Sequence, residues 1–390
     1  MSHSNIKSLV TAVLVAAAIG TGFSQPYPDF GPEKPVIIIG LTFDAMEPFI
    51  SPDGNTLFFN SLNSGGNTNL YHATRVNDTV FTYDGLVGGI YDPSPDHLDA
   101  VASLDSAGNF FWVSLRGYPA VFENLHRGRY STGAVTDTTR VYGDFNIDTL
   151  GWLIMDGTIN YQGDRLYYNN AYFNLAEPTG IPEQARLGAA QRIDDSTFNK
   201  LPDTEEIFAA VNDAGYLVYA PQITGDGLEL YFTRLLKNTI NTEICLALRA
   251  AADQAFGPPV VLHSNPGYVP EAPTLTLDKQ VLYYHQKDSA GIFRIFLRYR
   301  SGAAGVVADE PSPGPADNFR IYPNPARNLI HIASTNQFAK YRAELYTILG
   351  QRCLGPTGLP QLDLSGLPGG IYFLRIREGG RYRSFKFVKE

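Results

Sequence analysis

Residues Glu47–Ser61, with the sequence EPFISPDGNTLFFNS, combine a short apolar strand, a tight turn and a second strand rich in aromatic residues. Pro52–Asn55 form the turn, because Gly and Asn tolerate a positive φ and Pro fixes the entry into it. A lone hairpin cannot bury both of its faces, so it needs partners. We therefore expect the chain to repeat this unit.

Four degenerate copies of the unit follow, and each places an aromatic pair in its second strand. The five pairs are Phe58–Phe59, Phe111–Trp112, Tyr167–Tyr168, Tyr231–Phe232 and Tyr283–Tyr284. Successive pairs are separated by about 53, 56, 64 and 52 residues, the length scale of a four-stranded propeller blade. The repeat predicts an all-β protein with a β-propeller of about five four-stranded blades.

The remaining strands of the blades follow from local alternation. Ala120–Leu125 is predicted as the third strand of the second blade, and Ile207–Val211 as the fourth strand of the third. The β-branched run Val36–Ile39 precedes the first repeat, and the last repeat lacks one strand. We expect Val36–Ile39 to pair with Ile292–Leu297 and close the ring, which would remove the exposed edges.

Composition and the N-terminus limit the function classes. The chain has 390 residues, 44% hydrophobic residues and a net charge of −9, with no basic cluster of the kind that nucleic acid requires. Lys7 and the apolar run Leu9–Ile19 predict a signal peptide over residues 1–24, and no later segment reaches transmembrane length. The seven histidines show no metal-binding spacing, so we expect neither a metal nor another cofactor.

The first repeat also resembles a known family. Pro48, Ser51–Gly54 and Leu57–Phe59 are similar to the WD-like repeats of TolB-type β-propellers. The resemblance covers about residues 35–300, and it implies a propeller of which residues 25–300 form the domain. Members of that family usually have six or more blades, whereas five copies are counted here.

The C-terminal part has a different composition. Residues 301–318 are rich in Gly, Ala and Pro and predict a semi-stiff linker. Period-2 alternation returns over residues 319–390, which predicts a small Ig-like β-sandwich. This part closely resembles the C-terminal sorting domain of type IX secretion cargo. The residues that carry the resemblance are Tyr322, Pro323, Asn324, Pro325, Gly350, Gly370, Tyr372 and Lys386. It implies a Bacteroidetes-type bacterium, the type IX machinery as a partner, and an extracellular or outer-membrane-surface location.

Candidate functional residues precede the innermost strand of each blade. They are Glu47, Asp99, Asp156, Tyr219 and Glu271. Because innermost strands line the axis of a propeller, these side chains are expected to converge at one mouth of the channel. A polar residue that recurs at one register is typical of an architectural role, such as accepting a hydrogen bond from the neighbouring blade. The alternatives are a funnel that binds a cation or polyol, and a pair of glycosidase carboxyls with Trp152 and His97 nearby.

Three function classes remain open at this point. The first is a secreted or cell-surface propeller that acts as a non-enzymatic binding or scaffolding module for a glycan or protein ligand. The second is a glycan hydrolase or lyase that uses the mouth carboxylates. The third is a structural subunit of the cell envelope. The segment Asn174–Glu183, inserted in the third blade, is a candidate functional loop or a drifted surface loop.

Overall fold

The computed structural model describes residues 27–63, 67–92, 94, 97–301, 319–334, 341–347, 352–378 and 381–390. They form two compact units, which lie within Met1–Gly305 and Val306–Glu390. The predicted signal peptide and almost all of the predicted linker lie outside the described residues. The exact domain bounds given above therefore stay a prediction.

The first unit contains five sheets, the predicted blades, which we number in chain order. Each blade has four antiparallel strands, and the sheet of blade 1 has an additional parallel strand, Ile37–Ile39, at its outer edge. From the inner to the outer strand, blade 1 contains Met46–Ile50, Thr56–Asn60, Leu70–Asn77 and Val80–Leu86. Blade 2 contains Asp99–Leu104, Asn109–Ser114, Leu125–Ser131 and Ala134–Arg140. Blade 3 contains Trp152–Ile159, Arg165–Tyr172, Gln184–Arg192 and Phe198–Lys200. Blade 4 contains Tyr216–Ile223, Glu229–Leu236, Thr242–Leu248 and Val260–Ser264. Blade 5 contains Glu271–Leu275, Val281–Lys287, Phe293–Tyr299 and Lys34–Pro35.

The blades are arranged in a closed ring. Each inner strand contacts the inner strands of the preceding and following blades, and the inner strand of blade 5 contacts that of blade 1. Five buried clusters fill the five spaces between neighbouring blades. The prediction of a five-bladed, all-β propeller is confirmed.

The aromatic pairs explain why no blade is stable alone. Adjacent residues of a strand point to opposite faces of its sheet, so the two rings of a pair enter two different interfaces. Phe58 packs against Phe110 of blade 2, with ring centroids 5.1 Å apart. Phe59 lies in the cluster shared with blade 5, where Tyr283 is also buried. Each pair therefore holds its blade to both neighbours.

Ring closure differs from the expectation in its register. Lys34 pairs with Leu297 and Pro35 with Phe296, so the N-terminal segment does supply the missing strand of blade 5. Ile37–Ile39, however, turn away and run parallel to the outer strand of blade 1, beginning opposite Val80. The predicted pairing with Ile292–Leu297 is right for Val36, whose N–H donates to the Ile295 carbonyl at 2.9 Å, and wrong for Ile37–Ile39. One segment thus joins the outer edges of the last blade and the first.

Two further strand predictions were wrong. The third strand of blade 2 is Leu125–Ser131 and not Ala120–Leu125, because residues 116–121 form turns. Blade 3 ends with Phe198–Lys200, and the chain then forms a short helix, Thr204–Ile207, in place of the predicted strand. In the helix and its C-terminal end, Ile207 and Phe208 enter the cluster between blades 3 and 4, so the apolar run is buried as predicted but without strand geometry.

The second unit is a β-sandwich. One sheet contains Phe319–Tyr322, Leu329–Ser334 and Gln361–Asp363, in that order. The other contains Arg352–Thr357, Tyr341–Thr347, Gly370–Glu378 and Arg381–Lys389, in that order. Residues of both sheets, among them Ile330 and Leu374, share one buried cluster. The predicted small sandwich is confirmed.

Motif residues stabilise this sandwich. The backbone N–H of Val388 donates to Asn324 Oδ1 at 2.9 Å, which ties the motif to the C-terminal strand. The Tyr322 ring stacks on His331 with centroids 5.2 Å apart, and the Tyr372 hydroxyl donates to the Pro368 carbonyl at 2.9 Å. Gly370 begins a strand. Gly350 and the Lys386 side chain lie outside the described part of the structure.

Candidate functional site

The axial cavity is an open cavity of about 610 Å³ at one end of the ring. All five inner strands contribute to it. The contributing inner-strand residues include Met46, Glu47, Ala100, Val101, Leu153, Met155, Asp156, Leu217, Tyr219 and Glu271. Four of the five predicted mouth residues therefore line one cavity. These are Glu47, Asp156, Tyr219 and Glu271.

A β-bulge in every inner strand sets where these side chains point. Asp156, Tyr219 and Glu271 occupy one shared register, opposite the residue that follows the aromatic pair of the same blade. In blade 1 that register holds Met46, so Glu47 lies one residue later, inside the bulge. The expectation that all five residues share one register is therefore wrong.

Four of the five bulges also link the blades, because each of these four presents a backbone N–H to a side chain of the preceding blade. Four bulge residues have positive φ, namely Glu47, Val101, Ala220 and Ala272. The N–H of Ala272 donates to Thr233 Oγ1 at 2.9 Å, and that of Glu47 donates to His285 Nδ1 at 3.0 Å. The N–H of Ala220 donates to Asp156 Oδ2 at 3.2 Å. Asp156 thus has the architectural role that was expected, and it faces the cavity as well.

His285 and Tyr219 hold the Glu271 carboxylate. The Tyr219 hydroxyl donates to Glu271 Oε1. Because His285 Nδ1 accepts the Glu47 N–H, the proton of the neutral ring lies on Nε2. That Nε2 atom is 3.3 Å from Glu271 Oε2, although the pair lacks the alignment of a hydrogen bond. His285 is fully buried, so it fixes both the bulge of blade 1 and the carboxylate of blade 5.

Glu47 has one satisfied oxygen. Its Oε1 atom accepts a hydrogen bond from Asn63 Nδ2 at 2.9 Å. Among the described residues, no group donates to its buried Oε2 atom. Burial raises the pKa of Glu47 well above its usual range, and the neighbouring charges of Asp156 and Glu271 raise it further. A cation close to Glu47 would therefore stabilise the ionised form of its carboxyl group.

Asp156 and Tyr219 are perturbed in the same direction. Burial and the charge of Glu271 raise the pKa of Asp156 to about 7, although the Ala220 N–H opposes the shift. Burial and the same charge raise the pKa of Tyr219 well above 10.0. Near neutral pH this cluster is an incompletely ionised, mutually repelling set of acids. Such sets are typical of functional sites, although structural networks also produce them.

Asp99 does not belong to this site. It is buried beneath blade 2, where Arg116 Nη2 donates to its Oδ2 atom and Trp112 Nε1 donates to its Oδ1 atom at 3.3 Å. His97 Nε2 lies 3.4 Å from the same carboxylate. The expectation that Asp99 and His97 lie at the mouth is therefore wrong. Asp99 instead forms an ion pair with Arg116 in a structural position, and His97 lies beside it. Trp152 packs against Tyr172 and does not line the axial cavity.

The insertion in blade 3 forms one wall of the axial cavity. Phe173, Leu175, Pro178, Ile181 and Pro182 line it, above the carboxyl cluster. The segment that was a candidate functional loop therefore does border the site. Together with Met46, Leu98, Val113, Leu217 and Leu235, it makes the walls largely apolar. The lining contains no Lys or Arg within the part of the chain that the structure describes.

Two residues of the site were not predicted from the sequence. His285 and Asn63 hold the carboxylates, and neither was a candidate. His285 had a detectable signal, because it follows the pair Tyr283–Tyr284 just as the polar residue Asn60 follows Phe58–Phe59. Among the residues that the structure describes, no three His, Cys, Asp or Glu side chains are grouped as a metal site would require.

Comparison with known proteins characterises the second unit. Residues 320–390 match the family model of the secretion system C-terminal sorting domain. Residues 320–390 are therefore a sorting domain. It directs the protein through type IX secretion to the cell surface or the extracellular space, as the motif had implied. No helix among the described residues is long and apolar enough to cross a membrane.

Similar folds occur among solved structures. A family 117 glycoside hydrolase from Zobellia galactanivorans is 13% identical, with a TM-score of 0.47, over 70% of this chain and 90% of that one. An endo-arabinase from Bacteroides thetaiotaomicron is 13% identical, with a TM-score of 0.41, over 68% and 97%. A protein described as TolB from Agrobacterium tumefaciens is 13% identical, with a TM-score of 0.39, over 68% and 77%. Among curated proteins, none matches the sequence.

Proposed function

We propose that this secreted protein is a binding module whose axial cavity holds a ligand with a positive charge and an apolar body. The observation that carries the proposal is the contrast between the floor and the walls of the cavity. The floor presents Glu47, Asp156 and Glu271, and no basic side chain of the described lining neutralises them. The walls are mainly aliphatic and aromatic, which favours an apolar ligand body.

Charge repulsion explains why a cation would bind. The charge of Glu271 raises the pKa of the buried Asp156 and of the half-buried Glu47, so a counter-charge in the cavity would favour full ionisation of the set. A ligand ammonium or guanidinium would supply that charge and would satisfy the free Glu47 Oε2 atom. Aromatic faces next to the acids, such as those of Tyr118 and Phe173, would add cation–π attraction. A peptide with a basic end group fits this description as well as a small amine does.

The test uses the full chain with phenethylamine and its neutral counterpart, phenethyl alcohol. We expect calorimetry at pH 8 to detect saturable binding of the amine and much weaker binding of the alcohol. Glu47→Gln should weaken amine binding by roughly tenfold, the worth of one hydrogen bond to a charged group. The matched control is Glu177→Gln, an exposed position on the blade 3 insertion that should leave the affinity unchanged. Equal binding of amine and alcohol would contradict the proposal.

The pH dependence has a definite sign. Because the pKa of Asp156 is about 7 and that of Glu47 is raised, the cavity loses negative charge as the pH falls. Amine affinity should therefore decrease between pH 8 and pH 5.5. A bound cation also lowers the pKa of nearby carboxyls, so binding near pH 7 should release protons. Calorimetry in buffers of different ionisation enthalpy measures that release, and proton uptake would refute the mechanism.

Glycan hydrolysis is the second candidate, and one observation favours it. A carboxyl with a pKa of about 7 is suited to act as a general acid at neutral pH, and Asp156 lies beside the carboxylate of Glu271. A reducing-end assay on a panel of polysaccharides separates the two candidates. Sugar release that Glu271→Gln abolishes would establish the hydrolase. Absence of turnover together with amine binding would leave the binding module.

A further inference from the structure

A second cavity lies on the opposite face of the ring from the axial cavity. The inner strand of blade 2 lines the axial cavity near its start, at Ala100. It ends at a turn, and Asn109 follows that turn at the far end. The arginine pocket, of about 490 Å³, lies there between blades 2 and 3. Its lining residues are Asn109, Arg127, Arg129, Asp137, Arg192 and Asp195.

Two of the three arginines form no direct ion pair with a carboxylate. Arg192 donates to the Asp195 carboxylate at 2.9 Å. Arg127 Nη2 and Arg129 Nη1 instead donate to the same neutral atom, Asn109 Oδ1, at 3.0 and 2.9 Å. Neither forms an ion pair within the described part of the chain. Asn109 therefore holds two like charges side by side at the pocket wall.

Arg127 is the strongest indication of a ligand. Its side chain is only 7% exposed, and its Nε atom has no hydrogen-bond partner among the described residues. The charges of Asp195 and Asp105 act on Arg127 without a direct ion pair. A buried cation that is compensated only at a distance and has an unpaired donor is costly, so structures rarely keep one without a reason. Because Arg127 lines the pocket, an anion placed there would relieve both deficits.

We propose that the arginine pocket binds an oxyanion group, which is a sulfate, a phosphate or a carboxylate. Guanidinium groups present parallel N–H donors that match two oxygens of such a group. Arg127 would bind it from the buried side, and Arg129 would bind it from the exposed side. Asp137 also lines the pocket and opposes an anion, so it limits the affinity. This site is independent of the axial cavity and does not rest on the proposed function.

The test measures binding of sodium sulfate, sodium phosphate and sodium galacturonate to the full chain by calorimetry. Chloride keeps the ionic strength constant, so that general screening does not change. We expect saturable binding of at least one probe. The probe that binds most tightly identifies the source as a sulfate ester, a phosphate ester or a uronate. No saturable binding of any probe would overturn the proposal.

Variants assign the binding to this pocket. Arg129→Ala removes an exposed side chain and should weaken binding by roughly tenfold, as expected for one charged hydrogen bond. The matched control is Arg186→Ala, which removes the same charge from an exposed position of blade 3 outside the pocket. An equal loss in both variants would show non-specific attraction and refute the site.

A gain-of-affinity variant avoids the risk of misfolding. Asp137 is exposed and has a φ of 51°, a conformation that Asn also tolerates. Asp137→Asn should therefore fold normally and tighten oxyanion binding by roughly threefold, because it removes one screened like charge. Unchanged or weaker binding in this variant would contradict the assignment. Amine binding in the axial cavity should stay unchanged in Arg129→Ala, which separates the two sites.

Discussion

Replacing Asp156 by Asn should stabilise the propeller, and the gain should be largest at neutral and alkaline pH. The folded-state pKa of Asp156 is about 7, against a usual value of 3.8. Between these values the folded protein binds more protons than the unfolded chain, so stability falls as the pH rises through this window. Since one pKa unit corresponds to ~1.4 kcal/mol, the ionised carboxyl destabilises the fold by up to ~4 kcal/mol above pH 7.

Asparagine removes this penalty and can keep the architectural contact. Its side-chain oxygen still accepts the Ala220 N–H, which Asp156 Oδ2 accepts at 3.2 Å. We expect Asp156→Asn to exceed the wild type by about 2 to 4 kcal/mol in free energy of unfolding at pH 8. At pH 5, about one unit above the usual Asp pKa of 3.8, the remaining difference should be ~1.6 kcal/mol, and it should disappear only below pH 3.8.

Urea denaturation followed by tryptophan fluorescence measures both values. The two tryptophans, Trp112 and Trp152, lie in the propeller, so the signal reports on that unit alone. The control is Asp148→Asn, an exposed aspartate in the segment leading into blade 3. A variant less stable than the wild type at pH 8 would refute the reasoning, because it would show that the carboxylate charge stabilises the ring.

Two further predictions concern stability. Glu229 is buried, and its carboxylate accepts two hydrogen bonds from Arg300, at 3.0 and 3.1 Å. Although burial opposes it, Arg300 and Lys279 lower the pKa of Glu229. Glu229→Gln should therefore lower the free energy of unfolding by about 3 kcal/mol at pH 7. Because the pKa is lowered in the folded state, the stability difference between the wild type and Glu229→Gln should become smaller as the pH falls below about 4.5. Urea denaturation at pH 7 and pH 4 measures this change. Val36→Asp should cost more than about 3 kcal/mol because Val36 is buried between blades 5 and 1. At Ile37, 59% exposed, the same change should cost about 1 kcal/mol or less, and equal losses would contradict the closure.

The architecture was readable from the sequence because it depends on local signals that repeat. The aromatic pair and the Asp-Gly turn act within about 15 residues, and Phe58–Phe59 alone predicts that both faces of blade 1 are buried. Errors arose where the repeat is weakest. In blade 2, turns and a bend over residues 116–121 precede the third strand, and no local sequence pattern distinguishes this segment from a strand.

The candidate site was harder to predict because it depends on backbone register. The bulges place non-glycine residues such as Glu47 and Val101 at positive φ, and no glycine marks them in the sequence. Asp99 lies one residue before the shared register, and Glu47 lies one residue after it, inside the bulge. A displacement of one residue turns a side chain to another direction, which is why the two acids lie in different environments. The partner that a group finds on another blade, such as His285 for the Glu47 N–H or Asp156 for the Ala220 N–H, depends on this placement.

The segment Lys34–Ile39 joins blade 5 to blade 1, and this has a consequence for biogenesis. Lys34 meets its partner Leu297 more than 250 residues later, so the ring cannot be completed until the last blade has been synthesised. Until Lys34–Pro35 pair with it, the third strand of blade 5 exposes an unpaired edge, which invites intermolecular pairing. An export route that carries this chain must therefore protect it from self-association until Lys34–Pro35 pair with the third strand of blade 5.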